Sequence, residues 1–327
     1  MRGWPLIKLL PQKTNFSFVK YAPYAGVLSV ILCVASIVGC FYPGLNMGID
    51  FRGGASMEVS KPAGQVISLD GVRGAVGELG LGDVQVQGIA RRDNNANDGS
   101  TAILRFQVPE GRGQTQVVQQ VEGAITRTVG EVTYSGVSVV GSKVSGELFT
   151  SGLLALGLAV VLMFAYIWFR FERQFGFGAI AGLVHDVVLT FGLIVLMRLE
   201  FSLNMVAAIL TVIGYSMNDT VVVFDRLREN LRKYKSMPLR EVIDLSLNET
   251  LSRTIITGVT AVGVLAILAI FGGEALFGFS IALMLGIIIG TYSSIYVGAP
   301  IILLWGVKRG QVEEDAKPVK LGMASRP

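Results

Sequence analysis

Six stretches of this 327-residue chain run the width of a membrane almost without Lys, Arg, Asp or Glu. They are Tyr24 to Tyr42, Leu148 to Phe169, Phe175 to Met197, Leu203 to Phe224, Ile255 to Phe271, and about Leu276 to Val307. A hydrocarbon layer about 30 Å thick needs about 20 apolar helical residues to cross it. It offers the backbone no hydrogen-bond partner, so only helices and closed barrels span it, and runs this long read as helices. The sixth run contains Pro300 and is too long for one straight crossing, which predicts tilt or a partly interfacial start. Only 16% of residues are charged and 51% are hydrophobic, where a soluble chain carries about a quarter charged. No small-residue cleavage site follows the first run, which therefore reads as a retained anchor.

Lys and Arg in the short loops set the expected orientation. The N-terminal tail, the loop at Phe169 to Gly176, the loop at Asp225 to Arg253 and the C-terminal tail hold 4, 2, 7 and 5 of them, 18 in all. On the other side Arg198 stands alone. The reading is a cytoplasmic tail at 1–23, a first span at 24–42, a periplasmic domain at 43–147, five spans at 148–307 with a cytoplasmic helical loop at 225–253, and a cytoplasmic tail at 308–327. Both termini are expected in the cytoplasm of a multi-pass inner-membrane protein. The net charge of +4 is then a topology signal and implies no nucleic-acid partner. Tyr21, Tyr24, Tyr42 and Trp168 sit near span ends, where aromatic rings favour the interface with the lipid bilayer.

The stretch Pro43 to Glu147 carries nine basic and eleven acidic residues, an ordinary soluble balance. Ala55 to Val59 alternates with period two, as a half-buried strand does. Leu69, Val72, Val76 and Leu79 repeat at helical spacing. Val84 to Gln87 alternates again, and a polar turn is expected at Arg91 to Ser100. Ala102, Leu104, Phe106 and Val108 form one strand face, Val118, Val121, Ile125 and Val129 a helix face, and Thr133 to Val140 a last strand. The order β-α-β-β-α-β predicts an α+β, ferredoxin-like domain inserted into an all-α membrane bundle.

Few groups could carry chemistry. An ionisable side chain inside lipid costs several kcal/mol, so each is a functional lead. His185 and Asp186 fall near the middle of the third span. Adjacent residues point about 100° apart on a helix, so the pair is not expected to face one pathway together. Asn218 and Asp219 lie in the cytoplasmic half of the fourth span, with Tyr215, Ser216 and Asp219 sharing a face. At Asp219 desolvation and any nearby cation act in opposite senses, a competition that permits proton loading and release. The alternative is an idle, solvated aspartate at the membrane boundary. Arg253 opens the fifth span at similar depth, where it either pairs with Asp219 or snorkels to water. Cys33, Cys40 and a single His leave little for a zinc site, and no cofactor is expected. Gly136 to Lys143 resembles a phosphate-binding loop, but Ser142 separates Gly141 from Lys143 and Val144 follows, so no ATPase is implied. Gly178/Gly182 and Gly286/Gly290 have the spacing for close helix packing.

Three segments carry a family resemblance. Gly48-Ile49-Asp50-Phe51-Arg52-Gly53-Gly54 is similar to the motif that opens the external domain of the SecD/SecF export proteins. Gly214 to Arg226, GYSMNDTVVVFDR, resembles the fourth-span signature of the SecF branch, with Gly214, Tyr215, Ser216, Asn218, Asp225 and Arg226 at motif positions. Leu251 to Thr254, LSRT, resembles the start of its fifth span. The chain departs at Val140-Gly141-Ser142-Lys143, where the family tends to show Val-Gly-Pro. The resemblance implies membership of the resistance-nodulation-division superfamily and pairing with SecD beside the SecYEG translocon. It further implies use of the proton gradient to help an exported, unfolded polypeptide leave the channel. By matching position it marks Asp219 and Arg253 as the proton pathway, with His185 and Asp186 as further candidates. A proton-coupled transporter of small molecules or lipids, and a non-transporting scaffold, are the alternatives. An intramembrane enzyme has no nucleophile-base set to support it.

Overall fold

The computed structural model describes residues 14–62, 65–81, 84–89, 100–109 and 112–305. Of the polar turn expected at Arg91 to Ser100, residues 91–99 lie outside the described residues, as do 1–13 and 308–327 of the tails. Along the chain come α1 (Phe18–Gly39), β1 (Asn46–Met47) and the single turn α2 (Ile49–Arg52). Next come β2 (Gly54–Ser60), α3 (Leu69–Gly77), β3 (Val84–Ile89), β4 (Thr101–Phe106), α4 (Gln114–Val129) and β5 (Thr133–Val140). Then follow α5 (Ser142–Arg170), α6 (Arg173–Leu196), β6 (Glu200–Phe201), α7 (Leu203–Lys233), α8 (Leu239–Phe271), α9 (Gly273–Ser293) and α10 (Ala299–Trp305). Six helical segments among the described residues are long and apolar enough to span a membrane.

Helix length separates the lipid-matched parts from the rest. At 1.5 Å per residue the 31 residues of α7 extend about 46 Å, well beyond the hydrocarbon. Its polar end and the start of α8 form a hairpin turned at 234–238. Arg226 Nε donates to Glu249 at 2.7 Å and Asn230 donates to Ser246 at 3.0 Å, which ties the two arms. The sixth apolar run is one helical span from Leu276 to Leu304. It contains a wide helical turn at Ser294–Gly298. Pro300, just beyond, cannot donate to the carbonyl of Tyr296, which weakens the backbone ladder there.

α6 and α7 lie inside the bundle, whereas α1 and α5 are almost wholly exposed along their apolar stretches. Phe175 and Phe224 meet at 5.6 Å between ring centres, and Phe171 meets Phe224 edge-on at 5.9 Å. The expected glycine contacts form. A Cβ on Gly178 would stand 2.6 Å from the carbonyl oxygen of Gly298, one on Gly290 would press Ser216, and one on Gly286 would overlap Val212.

Between α2 and α5 the chain builds a four-stranded sheet in the order β3-β4-β2-β5, with every neighbouring pair antiparallel. Met57, Val59, Leu104 and Phe106 form its buried face, packed with Val72 and Val76 of α3 and Val121 and Ile125 of α4. The alternation in β2 and β4 turns one side chain in two toward these helices. At the departure from the family pattern, Gly141 is extended and α5 starts at Ser142 without a proline.

Gly178→Ala should destabilise the bundle by about 1–3 kcal/mol, because the added methyl meets backbone and cannot be accommodated by a rotamer change. Gly157→Ala, where a Cβ meets nothing within 4 Å, is the control. Thermal unfolding in detergent measures both, and equal midpoints would contradict this packing.

Candidate functional site

A hydrogen-bonded polar group lies buried within the bundle. Asp186 on α6 is fully buried, and its carboxylate accepts from three directions. His185 Nδ1 lies 2.9 Å from Oδ1, Ser293 Oγ of α9 donates to Oδ2 at 2.7 Å, and Ser216 Oγ of α7 donates to the same oxygen. The chain of bonds continues on the other side of the ring. His185 Nε2 is 3.2 Å from Ser29 Oγ of α1, which is 3.0 Å from the Tyr292 hydroxyl. Tyr292 donates to the Ala25 carbonyl at 2.9 Å and lies over His185, 5.9 Å away. Four helices thus meet through one imidazole and one carboxylate. A neutral His185 donates through Nδ1 and accepts from Ser29, and a protonated one donates from both nitrogens. His185 and Asp186, expected to point about 100° apart, are instead bonded to each other. Both side chains swing toward each other, because isolating either in the bundle would strand a buried polar group.

Asp219 stands one turn beyond Ser216 on α7, a spacing of about 5–6 Å between Cβ atoms. It is 3% exposed, and its Oδ2 has no hydrogen-bond partner among the described residues. The Tyr215 hydroxyl and Thr254 Oγ1 are buried and likewise without partners. The Arg253 guanidinium and the Thr291 hydroxyl act on the Asp219 carboxylate electrostatically. Arg253 itself is exposed and makes no ion pair with Asp219 within 4.0 Å. The sequence left direct pairing and snorkelling open. The structure has Arg253 at the surface, acting across space. Asn218 is exposed on another side of α7.

The glycine-rich segment after α1 joins the sheet domain to the bundle. Asp50 Oδ2 accepts from the Leu203 backbone N–H at 2.9 Å, which places a carboxylate at the N-terminus of α7, where the helix dipole favours it. Phe51 packs on Phe149 of α5 at 5.6 Å and on Phe201 of β6 at 5.5 Å. β1 pairs with β6 in parallel, Asn46 opposite Glu200. Arg105 of β4 forms an ion pair with Glu200, and Gly48 leaves the room that this carboxylate occupies. Gly53 and Gly54 have φ of 72° and 124°, and a Cβ on Gly54 would collide with the Phe106 carbonyl. Both conformations favour glycine. At the opposite end of α7, Asp225 accepts two bonds of 2.8 Å from Arg170, and Arg226 binds Glu229 and Glu249. The last positions of the fourth-span motif thus fasten α7 to α5 and α8.

This arrangement has relatives. The family described as protein export membrane protein SecD/SecF, C-terminal, matches residues 120–308, and the SecD/SecF GG motif matches 43–60. The chain belongs to the SecD/SecF family. The protein translocase subunit SecF of Cereibacter sphaeroides is 44% identical over 313 residues, covering 95% of this chain and 96% of that one. The SecF subunit of Rickettsia rickettsii is 39% identical, covering 93% and 96%. The crystal structure of SecDF from Thermus thermophilus, a translocon-associated membrane protein, superposes with a TM-score of 0.78 at 28% identity. It matches 91% of this chain, which spans 39% of the solved one. SecDF in a super-membrane-facing form covers the same share with a TM-score of 0.61. The chain is therefore a multi-pass membrane protein of the SecD/SecF fold with a sheet-containing domain between its first two spans.

Ser29, Tyr292, Ser293, Arg105 and Glu200 were not read from the sequence as site residues. Serines and a tyrosine inside apolar runs are common, and only the partner across the bundle gives them a role. Glu200→Ala should cost about 1–3 kcal/mol, because Arg105, whose side chain is 13% exposed, is left without its carboxylate. A double-mutant cycle with Arg105→Ala reads the coupling, and additive effects would dissolve the link.

Proposed function

We propose that the chain is the SecF-type subunit of a complex with SecD at the SecYEG translocon, where it uses the proton gradient to assist late steps of protein export. The observation that carries this is Asp219. It is a carboxylate buried within a spanning helix, with one oxygen unpartnered, on the helix whose N-terminus holds the sheet domain. Moving one charge through the membrane potential supplies about 2.3 kcal/mol per 100 mV. Protonation of Asp219 removes its attraction to Arg253 and loosens α7 against α8. That shift reaches the sheet domain through Asp50 and through the Arg105–Glu200 pair. Ser216, one turn from Asp219, donates to Asp186, which is bonded to His185, and these two groups complete the pathway. The two SecDF forms match the same share of this chain with different TM-scores, which supports movement of one part against another.

The partner assignment draws on the unmatched part of the SecDF chain and on α7. Asn204, Ala207, Thr211, Gly214 and Asn218 form an exposed stripe on a helix that is otherwise buried. Small and polar residues on a lipid-facing helix favour packing against another helix. We read the sheet domain as ferredoxin-like, a reading supported by its strand order and by the helices α3 and α4 between strands. We place residues 43–147 in the periplasm and both termini in the cytoplasm, on the 18-to-one distribution of basic residues.

Asp219→Asn mimics the protonated state at nearly constant shape. It should leave membrane insertion and SecD co-purification at wild-type level while removing the gradient-dependent component of export. Arg253→Ala should weaken that component without unfolding the protein, since Arg253 is exposed. Full export by Asp219→Asn at normal protein level and under an intact gradient would defeat the mechanism and favour a scaffold. Labelling of a Glu131→Cys protein, at an exposed position of the sheet domain, by an impermeant reagent in the periplasm of cells with a sealed inner membrane checks the orientation. Labelling only after the inner membrane is permeabilised would invert it.

A further inference from the structure

A groove of about 930 Å³ runs along the bundle between α1 on one side and α6 and α10 on the other. Its walls are apolar from Val19 to Ile37 on α1, with Val184 and Val188 on α6 and Ile301 and Leu304 on α10. The wide turn at Ser294–Gly298 and Pro300 lie along the groove, which Tyr296, Val297 and Pro300 line. Gly26 lines it, and a Cβ there would meet nothing within 4 Å.

Two polar features interrupt the apolar wall. Arg240, in the first turn of α8, stands at the end of the groove near Val19 and Leu304. It is exposed and makes no ion pair among the described residues. Ser29 and His185 stand about half-way along α1 and α6, and already satisfy one another. The groove thus has a cation at its mouth and an apolar bore that reaches the middle of the bundle. An apolar bore alone would suit any acyl chain or helix. A guanidinium at the mouth adds charge complementarity for a phosphate, which arginine recognises in a planar, two-pronged fashion.

We propose that this groove binds one phospholipid with a net negative headgroup. Arg240 holds the phosphate, and an acyl chain lies between α1 and α6 with its end against His185. The inference needs only the multi-pass membrane fold and stands apart from proton coupling.

Native mass spectrometry of the full chain tests it, after equilibration in detergent with equal phosphatidylglycerol and phosphatidylcholine. One phosphatidylglycerol adduct should persist through delipidation, preferred about fivefold, the preference one basic group confers near a membrane surface. Gly26→Trp should fill the bore and remove the adduct at an unchanged unfolding temperature. Arg240→Gln should keep an adduct but bring the two lipids to parity. No persistent adduct on the wild-type protein, no headgroup preference, or an adduct indifferent to both substitutions would overturn the proposal. An adduct that forms only after deletion of residues 1–13 would also overturn it, by making the chain's own N-terminal segment the occupant. So would loss of SecD co-purification in Gly26→Trp, which would make the occupant a partner helix.

Discussion

Hydrocarbon supplies no hydrogen bonds, and most of this structure follows from that. The backbone must satisfy itself, so the apolar runs become helices. Polar side chains inside them must find one another, so Asp186 gathers His185, Ser216 and Ser293, and His185 reaches Ser29. A carboxylate alone at that depth would cost about 3 kcal/mol by insertion scales. Held by three side chains it instead fixes the relative rotation of α6, α7 and α9. The glycines allow this closeness, since Gly290 brings α9 within reach of Ser216.

α7 is the element on which the other parts converge. Its N-terminus accepts Asp50, its middle carries Ser216 and Asp219 toward the inside and Asn218 toward the outside, and its polar end is fastened by Asp225 and Arg226. The fourth-span motif is therefore a set of different duties along one helix. This single helix, about 46 Å long by its 1.5 Å rise per residue, links Asp219 to both of its ends.

Asp186 and Asp219 show two ways of keeping a carboxylate inside a membrane. Asp186 has both oxygens bonded to side chains, His185 beside it on α6 and Ser216 and Ser293 on neighbouring helices. Asp219 keeps an oxygen unanswered among the described residues. Buried polar atoms without partners are rare in folded proteins.

The sequence by itself determined the six spans, the alternating strands of the inserted domain, the close-packing glycines and the ionisable residues within the apolar runs. These are local properties: hydrophobic length, period-two or helical spacing, and the rarity of charge in lipid. It did not determine which polar groups would meet. Arg253 and Asp219 sit at matching depth in the sequence, yet the arginine is exposed on the chain's surface and makes no ion pair with Asp219. Neighbouring His185 and Asp186 lean together, against their separation on a helical wheel. Ser29, Ser293, Arg105 and Glu200 acquire partners 95 to 156 residues away. Nor could hydropathy locate the wide turn at Ser294–Gly298, because an apolar run looks alike whether its backbone ladder is whole or broken. Side-chain meetings across helices depend on rotation and crossing, which are set only when the whole bundle packs.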